Sequence, residues 1–162
     1  KDIFFTVSLP VKKRDMVKAR FAFIAIIELV QILVAIPFAI IGAQINPNPL
    51  GNPVGIEANV AFFGFVFIMY ALYNGVFLPL FYKTAYRAGF SLLLASLAVT
   101  VYIVVIEAAI QIIPALKTWL DTTDPGQMIR QVPILAAGIA IYILSMLLAY
   151  RKSARNFEKV DL

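Results

Sequence analysis

Four apolar runs decide what this chain can become: Phe21 to Gly42, Val60 to Phe81, Ala88 to Ile113 and Val132 to Tyr150. Crossing the hydrocarbon of a bilayer takes about 20 helical residues, and the first run alone would measure roughly 33 Å at about 1.5 Å per residue. In lipid an unpaired backbone group is costly, so a spanning segment is either a helix or a strand of a closed barrel. Barrel strands alternate apolar and polar residues, and these runs do not. The expected fold is all-α: a polytopic membrane protein with four transmembrane helices, at about 21–42, 60–81, 88–113 and 132–150. A polar segment over 1–20 precedes them and a tail over 151–162 follows. The hydrophobic content of 62% agrees with a chain whose main solvent is not water. The first run follows a polar stretch and lacks a small-residue cleavage site, so it is not read as a signal peptide.

Charge orients the spans. Of the 14 Lys and Arg residues, all but Lys117 and Arg130 fall before the first run, between the second and third, or after the fourth. The positive-inside rule then puts both ends of this chain in the cytoplasm. The net charge of +5 sits in short clusters beside apolar runs, without interleaved base-stacking aromatics, so no nucleic-acid partner is expected. Membrane lipid is the expected neighbour of these basic flanks.

Missing residue types remove whole classes of chemistry. There is no Cys and no His, which excludes disulfides, thiolate nucleophiles and the usual histidine bases and metal ligands. No metal site is expected. There is no GxxxxGK[ST] phosphate loop and no GxGxxG after a strand, so any nucleotide would be bound by another chain. The sequence does not begin with Met, which suggests a fragment or a processed chain.

Polar side chains inside the runs are the candidate site. Glu28 and Gln31 lie one helical turn apart in the first run, and Glu107 and Gln111 do so in the third. A charge at the bilayer centre costs about 2.5–3.5 kcal/mol on insertion scales, so these faces are expected to look toward protein or water. Glu28 falls roughly 10–12 Å beyond Arg20, whereas Glu107 falls near the far end of its run, so the two are not expected to pair. Three roles remain open for Glu28: a hydrogen bond to a neighbouring helix, a place on a substrate path, or a proton-coupling carboxylate. Glu107 and Gln111 read as a cap, a subunit contact or part of the path. Asn74, Gly75 and Pro79 form a weak point in the second run, with Asn74 a further candidate for the path, and Pro37 does likewise in the first. The aromatic run "AFFGFVFIMYALYNGVF" is either a wall for apolar or cationic ligands or ordinary packing. "AQINPNPLGNPVGIEAN" reads as an irregular loop. "PALKTWLDTTDPGQMIRQVP" reads either as a loop or as a short interfacial helix carrying Trp119 at headgroup level.

The stretch "SLPVKKRDMVKARF" crowds basic residues just before the first run. Ser8 suits a position near a helix cap and Pro10 a first turn, while Lys12 with Asp15, and Asp15 with Lys18, are spaced to pair along one face. This describes a short amphipathic helix at the cytoplasmic surface. Its basic residues either anchor the span or do something further.

"LPVKKRDMVKARF" resembles the "LPVSRKEIVLAKY" type of segment found in permeases of the type-2 ATP-binding-cassette exporter family. Leu9, Pro10 and Val11 agree, Asp15 takes the acidic position, Met16 and Val17 the aliphatic pair, and Arg20 with Phe21 the closing basic-aromatic pair. Lys12 replaces the usual Ser, and Lys13 stands where Arg is commoner. The end of the chain, "YRKSARNFEKVDL", is similar to the family's tail "YKxSxKxYEKxDL" through Tyr150, Lys152, Ser153, Phe157, Glu158, Lys159, Asp161 and Leu162. The resemblance implies the last four of six spans of a permease in a bacterial cell membrane. Two such subunits, identical or different, would associate, and each would sit on a cytoplasmic ATPase that holds ATP and Mg. It assigns Leu9, Pro10, Val11, Lys12, Lys13, Arg14, Asp15, Met16 and Val17 to coupling with that ATPase. It implies export of peptides, drugs, lipids or polysaccharides, and the apolar spans favour a hydrophobic or amphipathic cargo. The rival readings are a proton-coupled small multidrug exporter using Glu28, and a membrane scaffold that transports nothing.

Overall fold

The computed structural model describes residues 12–45, 55–84 and 87–159. Leu9, Pro10 and Val11, the proline-rich centre of the first connection, and Asp161 and Leu162 lie outside the described residues. The elements run α1 (Lys13–Ile45), α2 (Val60–Lys83), α3 (Ala88–Ile112), α4 (Pro114–Leu120), α5 (Pro125–Met128), a 3-10 turn (Ile129–Gln131) and α6 (Val132–Glu158). Four stretches are long and apolar enough to cross a membrane, Lys13–Ile45, Val60–Lys83, Ala88–Ile112 and Pro125–Glu158. The protein is an all-α, multi-pass membrane protein.

Local chemistry sets the helix ends. The side chain of Asn59 accepts a 3.1 Å hydrogen bond from the Phe62 N–H and caps α2. Asp124 accepts from the Gly126 N–H at 3.1 Å, with Pro125 at the first helical position of α5. Pro114 opens α4 in the same way. The connection after the third span therefore does contain a short helix, with Trp119 exposed and Leu120 buried beneath it.

The basic end of α1 departs from expectation. Residues from Lys13 to Arg20 continue the helix into the span with no break, because they hold neither Gly nor Pro and Lys, Arg and Ala are good helix formers. Among the described residues there is therefore no separate amphipathic helix ahead of the span. The expected pairing of Asp15 with Lys12 or Lys18 is not formed among the described residues either. Lys13 and Arg20 lie over aromatic rings instead. At 33 residues, α1 is about 50 Å long and outruns the roughly 30 Å hydrocarbon layer.

The centre of the bundle is the pair α2 and α6. Gly64 meets Gly138, the Ser145 hydroxyl donates to the Ala71 carbonyl at 2.8 Å, and Asn156 Nδ2 donates to the Pro79 carbonyl at 2.9 Å. Contacts in that order mean that the two helices run parallel. Small residues at the crossing let the backbones touch, the usual basis of helix association where lipid is as apolar as the side chains. A Cβ on Gly64 would stand 2.9 Å from the Ile134 carbonyl oxygen, and one on Gly138 would collide with the Gly64 carbonyl. Gly75 also lies against α6, where an added Cβ would come within 3.0 Å of Ser145 Oγ. The second run is thus fastened along the stretch read from sequence as weak.

The other two spans flank this pair. Beside α2 lies α3, whose Tyr102 hydroxyl donates to the Phe65 carbonyl at 3.1 Å. On the other side α1 buries only Val17, Phe21, Glu28 and Ile32, a single stripe by helical spacing. The opposite face of α1 is bare, with Phe23, Leu33 and Phe38 exposed by 63%, 66% and 70%, as expected of residues solvated by lipid.

Replacing Gly138 with Ala should lower the stability of the detergent-solubilised protein by about 1–3 kcal/mol through overpacking. Gly42→Ala is the control, since a Cβ at Gly42 meets nothing within 4 Å. Thermal unfolding should show a clear fall in Tm for the first and no fall for the second.

Candidate functional site

Three helices meet at one carboxyl group in the span region. Glu28 comes from α1, and its Oε1 accepts from Asn74 Nδ2 of α2 at 2.8 Å while its Oε2 accepts from the Tyr142 hydroxyl of α6 at 2.7 Å. Glu28, Asn74 and Tyr142 are all buried. An unpaired polar group here would pay its full desolvation cost. Each carboxyl oxygen instead has one donor, and the donors come from the two helices that form the centre of the bundle. A turn further along, the Tyr70 hydroxyl donates to Gln31 Oε1 at 3.1 Å at the exposed edge between α1 and α2.

An apolar cleft opens just beyond this knot. Its volume is ≈ 380 Å³, and Ile32, Ile36, Phe63, Phe67, Leu135 and Ile139 line it between α1 and the α2–α6 pair. Phe67, on its wall, meets the Tyr142 ring edge-to-face at 5.6 Å and so connects the cleft to the knot. Two other rings of the aromatic run are spent on packing: Tyr73 stacks on Phe77 at 5.5 Å, and Phe77 stacks in turn on Phe81 at 5.6 Å.

The basic end is bound together by rings. Val17, Phe21, Leu78, Tyr82, Ala149 and Phe157 form one core shared by α1, α2 and α6. Around it Arg20 lies 5.2 Å from the Phe81 ring centroid and Lys13 5.7 Å from that of Phe157, both within cation–π range. This divides the segment that resembles the family's coupling region. Lys13, Met16 and Val17 turn toward the bundle, whereas Lys12, Arg14 and Asp15 are exposed.

The far end is held by amides. Gln131, wholly buried, accepts from the Ala61 N–H at 3.0 Å and donates to the Trp119 carbonyl at 2.9 Å. Asn59 Nδ2 donates to the carbonyls of Leu120 and Thr122. Glu107 and Gln111 are found at this end, far from Glu28 in the fold: Gln111 donates to the Gly55 carbonyl at 3.0 Å, and Glu107 Oε2 is buried without a hydrogen-bond partner. Glu28 and Glu107 therefore serve separate neighbourhoods, as their depths suggested.

Sequence reasoning singled out Glu28, Gln31 and Asn74 but missed Tyr142, Tyr70, Asn59 and Gln131. The signal available for Tyr142 was a phenolic hydroxyl in the middle of an apolar run, where a buried tyrosine needs an acceptor.

A family model described as "ABC-2 family transporter protein" matches residues 1–155 of the chain. No curated protein and no solved structure matches.

A double-mutant cycle on Glu28→Gln and Tyr142→Phe should give a coupling energy of about 0.6–1.7 kcal/mol, the range found for hydrogen bonds between membrane helices. Reversible unfolding in mixed micelles reads it out. Strict additivity of the two substitutions would mean that the bond carries no net stability.

Proposed function

The chain belongs to the ABC-2 transporter family, and from that premise we propose that it is the permease subunit of an ATP-driven exporter whose ATPase is a separate chain. ATP and Mg would bind on that partner. Two permease subunits, alike or different, would form the membrane part in a bacterial cell membrane, with the basic ends in the cytoplasm. The asymmetry of Lys and Arg supports this orientation.

The observation that carries the reading is the continuity of α1. Its exposed Lys12, Arg14 and Asp15 precede, or open, a helix that runs without interruption to Glu28, about 20 Å further along. Beyond Ile32 no residue of α1 is buried, and the apolar cleft separates it from α2 and α6. We take α1 as a lever held at the basic end, pivoting at the Glu28 knot and facing the cleft with its far arm. A push from the ATPase on the exposed residues would then widen or narrow the cleft, favouring one of two arrangements of the bundle. The cleft is almost wholly apolar in its lining, which suits a hydrophobic or amphipathic cargo.

A tagged form of the protein, solubilised in mild detergent, should bring down an ATPase with a GxxxxGK[ST] loop in roughly equal amount. Arg14→Glu combined with Asp15→Lys should reduce that recovery severalfold without lowering Tm, since both side chains are exposed. Transport in vesicles should stop when the partner's ATPase is inactivated and should persist in Glu28→Gln. The opposite pattern, with transport dependent on Glu28 and on a proton gradient but not on ATP, would establish the proton-coupled reading. Intact transport with no ATPase recovered would sink the permease reading.

A further inference from the structure

At the end of the bundle away from the basic cluster, a second arrangement plays no part in the lever. A niche of ≈ 190 Å³ lies between α2 and α3, with Phe62, Phe65 and Met69 on one wall and Tyr102, Ile103 and Glu107 on the other. The walls follow from helical spacing: Phe62, Phe65 and Met69 share one face of α2, and Ile103 and Glu107 lie one turn apart on α3, with Tyr102 next to Ile103. All but one of these side chains are aromatic or apolar.

The exception is an unsatisfied acid. Glu107 Oε2 is buried and has no hydrogen-bond partner. The donors around it point elsewhere. Gln111 Nε2 donates to the Gly55 carbonyl at 3.0 Å, Lys117 Nζ donates to Gln111 Oε1 at 3.0 Å, and the Tyr102 hydroxyl donates to the Phe65 carbonyl at 3.1 Å. Gly55 roofs the carboxyl so closely that a Cβ there would stand 3.4 Å from Oε2. A buried acceptor left without a donor calls for an explanation, and negative charge against aromatic faces is the usual recipe for holding an organic cation. A metal ion fits poorly, because hard cations take six or more oxygen ligands and the niche offers a single carboxyl among hydrocarbon walls.

We propose that this niche binds the ammonium group of an amphipathic organic cation, with Glu107 as counter-charge, Phe62, Phe65 and Tyr102 as the aromatic walls, and the ligand's apolar part lying in the membrane. This deepens the permease reading, on which it rests, by naming a cargo class. The same chemistry is offered by the trimethylammonium headgroup of a lipid.

The test uses the full complex of the protein with its ATPase in nanodiscs of phosphatidylglycerol, which carries no ammonium group. Radiolabelled dodecyltrimethylammonium should bind saturably, and its uncharged tert-butyl isostere about tenfold more weakly. Glu107→Gln keeps the size of the side chain and should weaken binding of the cation about tenfold while leaving that of the isostere unchanged. Phe65→Leu should weaken it severalfold. Equal binding of cation and isostere, or a Glu107→Gln variant with full affinity for the cation, overturns the proposal. Exchanging phosphatidylglycerol for phosphatidylcholine separates the two sources: competition assigns the niche to a lipid headgroup, and undiminished binding assigns it to a free amphiphile. Loss of binding while the ATPase still co-purifies removes the niche alone, whereas loss of the ATPase removes the permease reading beneath it.

Discussion

The contact between the backbones of α2 and α6 at Gly64 and Gly138 is what the remainder of the bundle hangs on. In lipid, burying apolar side chains gives no advantage over leaving them among acyl chains, so helices associate through close van der Waals contact and interhelical hydrogen bonds. Glycine at both sides of one crossing lets the two chains approach until carbonyl meets Cα. Once they are that close, bonds become possible further along the same seam, from Ser145 to Ala71 and from Asn156 to Pro79. The seam also presents Asn74 and Tyr142 from adjacent helices toward a common point. A third helix carrying a carboxyl at the right height can then dock there with both oxygens satisfied.

The spans were legible because a bilayer imposes a length on them. The runs at 60–81 and 88–113 match α2 (Val60–Lys83) and α3 (Ala88–Ile112) closely. Agreement is weaker at the basic ends of α1 and α6, which extend past Phe21 and Tyr150, because Lys, Arg and Ala continue a helix readily once it has begun. Hydropathy measures where a chain enters lipid, not where its helix stops.

The site was half legible, and the division has a physical cause. Glu28 and Asn74 announce themselves, because a carboxyl or an amide in an apolar run must find a partner. Which partner it finds depends on packing between segments far apart in sequence, and Tyr142 lies 114 positions from Glu28. A single sequence has no local pattern that records such a distance. Gly64 and Gly138 were illegible for the same reason: each is an ordinary glycine in its own helix and gains meaning only from the other. The sequence resemblance anticipated the family but could not say that Lys13, Met16 and Val17 pack inward while Lys12, Arg14 and Asp15 remain exposed.

The two ends of the bundle are held by different chemistry, and the difference bears on movement. At the far end, Asn59 and Gln131 bond directional amides to fixed backbone groups, and a hydrogen bond weakens steeply as its angle departs from linearity. That end resists sliding. At the basic end Asn156 bonds the Pro79 carbonyl between α2 and α6, but α1 itself is held there by charged groups over ring faces and by apolar side chains. These contacts are less directional than hydrogen bonds and tolerate small displacements. Between the two, α1 is joined to the bundle by the hydrogen bonds of Glu28 and Gln31 and by a narrow stripe, and among the described residues it takes no part in the amide bonds of the far end. The span with the least burial thus has its firmest attachment to α2 and α6 at one carboxyl, and a displacement of its basic end need not disturb the far end at all. A membrane helix that must move while its neighbours stay fixed would need this combination: less directional contacts at one end, a local group of hydrogen bonds to turn about, and open space on the far side.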